Sequence, residues 1–153
     1  MEFPLIGEPL ALDLVNTRSN TPAGPVDHLD TVAALERWLR LQADRLPAPD
    51  APLTAADLAA VHALRETAET AIDHVRRGTP PPAPVLAALS AAERAAPPYR
   101  ELAWDGTRLT AVRARQGPYA RRLTAELAAA VIDLLSGPSA GAIRQCEGPA
   151  CRL

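Results

Sequence analysis

No run of basic residues occurs in this chain, and there is no lysine: all sixteen cationic residues are Arg, set against eighteen Asp and Glu for a formal charge of −2. Direct neutralisation of phosphates needs a concentrated cationic patch, so the chain as it stands is not an evident nucleic-acid binder. The lysine deficit accompanies abundant Ala, Arg and Pro, fits GC-rich coding, and carries no functional weight. A charged leader followed by a long apolar run is also missing. The opening "MEFPLIGEPLALDLVNT" is interrupted by Glu8, Pro9 and Asp13, which argues against both a signal peptide and a membrane span. The expected compartment is therefore the cytoplasm, without membrane contact. Glycine-rich phosphate loops, Gly-x-Ser-x-Gly and His-Glu-x-x-His are absent as well. The histidines do not compensate. His62 and His74 stand twelve apart on one helical stretch, about 18 Å, too far to share a metal. An enzyme is the weaker reading.

What is present reads as one soluble domain. The 153 residues are 48% apolar and 22% charged, enough to build a core of ordinary size. The sixteen prolines cluster in "LPAPDAPLT", "TPPPAPV" and "APPYR", where they punctuate helices. In "LTAADLAAVHALRETAETAIDHVRRG", Thr54 with Asp57 forms an Asp variant of the capping box, Leu53 and Leu58 take the staple positions, and Gly78 stands where the helix should end. Leu58, Val61, Leu64 or Arg65, Ala68, Ile72 and Val75 make its apolar stripe. A second stripe, Leu123, Leu127, Val131 and Leu134 or Leu135, follows Pro118. "TVAALERWLRLQ", capped by Asp30 or Thr31, should bury Trp38, and "PVLAALSAAERAA" reads as a shorter helix. "EPLALDLVNT" fits a short helix better than a strand, and "RSNTPAGPVDH" reads as a loop. Between Leu102–Trp104 and Leu109–Val112 the period changes to two around Asp105-Gly106, a pair suited to a two-residue type I′ turn. The expected fold is mainly α, with one small β-hairpin.

Two constellations could carry function. In "LDLVNT", Asp13, Asn16 and Thr17 lie directly beside apolar residues, and buried polar groups must find partners or cost a few kcal/mol. Arg65 interrupts the stripe of the long helix and needs an acceptor. Together the four residues suit either an internal polar clasp or the polar end of a small-ligand pocket; the second reading would also serve a small-molecule enzyme. The other constellation is "IRQCEGPACRL". Cys146 and Cys151 bracket a Gly-Pro turn, as two adjacent ligands of a tetrahedral zinc would, but two ligands do not close a site. Taken within this chain alone, they also suit thiols or a redox pair.

"LALDLVNT", "LERWL", the long helix with "LR" in its middle, the late helix ending in "LL" and the final "IRQCEGPACRL" together resemble bacterial proteins that join an ABATE domain to a CGNR zinc finger. The resemblance spans nearly the whole chain. It implies a helical domain over 1–137 that senses a small effector or forms a homodimer. It also implies a linker and the first half of a finger over 138–153, with Cys146 and Cys151 as the first two zinc ligands. By the same resemblance the complete protein would be a stress-linked, non-enzymatic transcription regulator that contacts DNA through the rest of the finger and a basic tail. Those parts do not occur in this sequence, so zinc is not expected to be firmly held by the chain alone.

Overall fold

The computed structural model describes Phe3 and residues 6–147. Along them run α1 (Leu10–Val15), β1 (Arg18–Thr21), β2 (Gly24–Asp27), α2 (Val32–Leu41), α3 (Ala55–Arg76), α4 (Ala83–Arg94), β3 (Pro98–Trp104), β4 (Leu109–Arg115) and α5 (Tyr119–Ser136), then a 3₁₀ turn at Ala140–Ala142. Helices dominate, as the two stripes require.

Helix α3 starts where its sequence says it should. The Thr54 hydroxyl accepts from the Asp57 amide, and the Asp57 carboxylate accepts from the Thr54 amide at 2.7 Å, which satisfies two amides that an α-helix leaves without internal partners. At the other end Gly78 adopts φ +70°, a left-handed conformation that costs glycine little. The face between is buried at Val61, Leu64, Ala68 and Ile72, and it packs on Leu123, Leu127, Val131 and Leu134 of α5. Helix α2 is capped by Thr31, whose hydroxyl accepts from the Ala34 amide at 3.1 Å, and Trp38 is fully buried. Each such large apolar side chain contributes about 1.5–3 kcal/mol on leaving water. Helix α1 inserts Ala11 and Leu14 into the same core against α3 and α5.

Two features depart from the expected fold. The stretch 18–27, read as a loop, is a second hairpin: β1 pairs with β2 antiparallel from Arg18↔Asp27 to Thr21↔Gly24. Its strands are four residues long and carry no alternating apolar pattern, so period gave no signal. The turn chemistry did, since "TPAG" has Pro second and Gly fourth, as type I turns favour. The later hairpin lies where expected, but its turn is longer. Trp104 pairs with Leu109, so residues 105–108 form the loop. Asp105 stands at its entry, its carboxylate accepting from the Thr107 and Arg108 amides at 2.8 and 2.9 Å. Side-chain capture of the following amides displaced the two-residue turn. Beyond α5, Ile143 in the segment read as a linker is buried against the core.

Candidate functional site

The arginine that interrupts the α3 stripe is fully buried and held from the new hairpin. Arg65 donates through both terminal nitrogens to the Asp27 carboxylate at 2.8 and 2.5 Å, and to the Thr17 hydroxyl at 2.8 Å. The Thr17 hydroxyl in turn donates to Leu14 O at 2.5 Å, tying the end of α1 to the middle of α3. Beside this pair, Arg18 reaches Glu69 at 3.1 Å and Glu66 at 3.3 Å. Burial alone would raise the Asp27 carboxyl, but hydrogen bonds from Arg65 and the Leu29 amide outweigh it and hold the group at about 2. A charge-assisted, forked pair of this kind is among the stronger polar contacts a protein makes. The histidines nearby have structural contacts: His62 Nε2 lies 2.6 Å from Leu29 O, and His28 Nε2 lies 2.9 Å from Ser19 Oγ.

Asp13 is engaged elsewhere. Its carboxylate accepts from the Gly7 and Glu8 amides, both at 3.1 Å, from Gln42 Nε2 at 3.0 Å, and from Arg45. Arg45 also donates to Glu8 O at 2.7 Å. This second clasp fixes the approach to α1 against the end of α2. Of the four polar residues singled out from sequence, the fold thus joins Thr17 to Arg65, leaves Asn16 beside Thr17 at the end of α1, and gives Asp13 a different set of partners.

Asn16 lines a cleft of about 430 Å³ between α1 and the second half of α3. Leu12, Val15 and Ile72 supply apolar wall, and the charged lining is Arg18, Arg76, Arg77 and Arg144 with Glu69 and Asp73. Arg76 and Arg77 share Asp73 at 2.6 and 2.8 Å, whereas among the described residues Arg144 bonds carbonyls, Gly141 O at 2.7 Å and Ile143 O at 3.0 Å. Glu69 contributes a buried oxygen, Oε1, that has no hydrogen-bond partner among the described residues. Thr70, His74 and residues 143–145 complete the wall. Thr17, Arg65 and Asp13 do not line it; they lie behind and beside it. Sequence reading missed Asp27, Arg45, Gln42 and Arg144. The first three lie 38, 32 and 29 residues from the partners they serve, and no local pattern marks them.

Cys146 is exposed, and Cys151 lies outside the described residues. Among the described residues no group of three or more His, Cys, Asp or Glu could hold a metal ion. Likewise among them, no helix is long and apolar enough to cross a membrane.

Compared with known protein families, residues 8–138 match the ABATE family, described as "putative stress-induced transcription regulator". No curated protein and no solved structure matches the chain.

Proposed function

The chain belongs to the ABATE family, and on that premise we propose that it is a non-catalytic transcription regulator whose helical domain senses a small anionic molecule. The finger that begins at Cys146 and Cys151 would hold zinc once completed by two further ligands, and would contact DNA in the cytoplasm. The observation that supports sensing is the wall of the cleft: Ile143–Gln145 close one side of it and directly precede Cys146. A ligand there touches the core helices and the segment leading to the cysteines together. Its occupancy can therefore bias how that segment is held.

The lining favours a particular chemistry. Four arginines against two carboxylates suit a carboxylate or phosphate ester, and the unpartnered Glu69 oxygen suits an N–H or O–H on the same molecule. The volume lies within the range of small-molecule sites. Asn16 would meet the ligand directly. Thr17 and Arg65 would act as positioning residues that hold Arg18 and the end of α1 in place, and Asp13 would do the same for the start of α1.

Titrating the chain with a panel of small carboxylates and phosphate esters, read by thermal shift and calorimetry, tests this reading. At least one should stabilise the fold, and Arg144→Ala should weaken it about 10–100-fold, the usual worth of a charged hydrogen bond. Silence across the panel, or a ligand indifferent to both Arg144→Ala and Asn16→Ala, would remove the sensor. Chemical turnover of the bound molecule would instead favour a small-molecule enzyme. A longer chain carrying a complete finger should retain zinc and bind DNA with affinity that falls steeply with salt; zinc without DNA affinity would leave a protein-interaction finger.

A further inference from the structure

Most of the large apolar side chains that the fold leaves in solvent sit on one element. Leu102, Trp104, Leu109 and Val112 are 77, 65, 64 and 49% exposed, and all belong to the β3–β4 hairpin; Val112, opposite Glu101, lies on its other face. Its register sets Trp104 opposite Leu109, Leu102 opposite Ala111 and Arg100 opposite Arg113. Because strand side chains alternate, these six share one face, and all six are exposed. Within a single chain the arrangement is unfavourable twice over. A hairpin with one apolar face in water is marginal, and like charges directly opposite each other repel. Among the described residues neither the Arg100 nor the Arg113 guanidinium has an ion pair or hydrogen bond, although Arg113 also borders a cleft with Asp44 and Glu126.

The order of residues on this face is complementary to itself. Leu102 and Ala111 form the middle rank, with Trp104 and Leu109 on the tip side and the two arginines on the base side. A two-fold axis through the middle rank lays the tip of one copy over the base of the other. Arg100 of each copy then meets the Trp104 indole of the other, a favourable cation–π contact, while the Arg113 stem lies over Leu109 and Leu102 packs on its own copy at the axis. Tip-over-tip packing would instead bring four arginines together. We propose that the β3–β4 hairpin is the homodimerisation surface, docking face to face and antiparallel on the same hairpin of a second copy. Such an interface is isologous, as two-fold dimers require, and it does not depend on the ligand cleft. Two seven-residue strands offer roughly 500 Å² a side, about 1,000 Å² in all, at the lower edge of specific interfaces. The dimer should accordingly be weak and reversible.

Sedimentation equilibrium of the 153-residue chain over about 5–500 µM reads this directly. The expected result is a monomer–dimer equilibrium in that range. Emission from Trp104 should become shielded from acrylamide as the dimer fills, with Trp38, already fully buried, as the constant background. Leu102→Arg should leave a monomer at every concentration. Arg100→Glu with Arg113→Glu removes the cation–π contacts without touching the apolar ranks and should weaken association by about tenfold or more. These positions are exposed, so helical circular dichroism should be unchanged; if Leu102→Arg does perturb it, the arginine pair carries the test. A chain still monomeric at the highest concentration overturns the proposal, as does a dimer indifferent to both variants. So does a monomer whose hairpin instead binds phosphatidylglycerol vesicles.

Discussion

Asp27→Ala should destabilise the fold by about 3–5 kcal/mol, the usual cost of removing one partner from a buried ion pair, and lower the thermal midpoint by about 10 °C or more. The effect should be asymmetric. Arg65 is fully buried while Asp27 is about one-third exposed, so deleting the carboxylate leaves the cation with the Thr17 hydroxyl alone among the described residues, whereas deleting the cation lets the carboxylate turn to water. Arg65→Met, which fills the same slot on an apolar stripe, should therefore cost only about 1–2 kcal/mol. Urea denaturation of both variants measures the difference; equal costs would show that the hairpin does not depend on the pair. Acid provides a second reading. The folded Asp27 carboxyl lies at about 2 against an ordinary 3.8, a depressed value, so its stabilisation is complete above pH 4 and is lost as pH falls towards 2. With its partial hydration taken into account that contribution is about 1–2 kcal/mol, and the gap between wild type and Asp27→Ala should narrow over that window.

Asp13→Ala should cost about 2–4 kcal/mol, because one carboxylate satisfies two amides, Gln42 and Arg45, and a buried donor left unmatched costs about 1–3 kcal/mol. Not all four donors stay unmatched: Arg45 is 28% exposed and can turn to water. Asp13→Asn keeps the shape and an acceptor and should lose roughly half as much. In a double-mutant cycle, Asp13→Ala combined with Arg45→Leu should be less damaging than the sum of the two by about 1–2 kcal/mol. Strict additivity would mean that Asp13 acts through the amides before α1 alone.

Much of the architecture was legible because it is written within single segments. The stripes of α3 and α5 follow from spacing along one helix, the start of α3 from Thr54 and Asp57, and its end from Gly78; each involves residues a few positions apart. The same holds for the later hairpin, whose period changes at Asp105-Gly106, although the Asp105 side chain lengthened its turn. The need of Arg65 for an acceptor was also legible, since a cation on an apolar stripe cannot remain unpaired. Which acceptor it takes was not. Eighteen acidic residues were available, and Asp27 was selected only when the short β1–β2 hairpin, too polar and too brief to declare itself by period, folded across α3. Asp13 and Thr17 are neighbours in one motif, yet α1 turns them to different partners, one towards the end of α2 and the other towards α3. The cleft is likewise a product of packing, since it exists only where Asn16, the second half of α3 and the segment 143–145 are brought together. Local periodicity decides which elements form, because it acts through contacts within a turn or a strand. Pairing across 29 to 51 residues depends on how those elements pack, and that decided the clasps, the cleft and the exposure of the hairpin face.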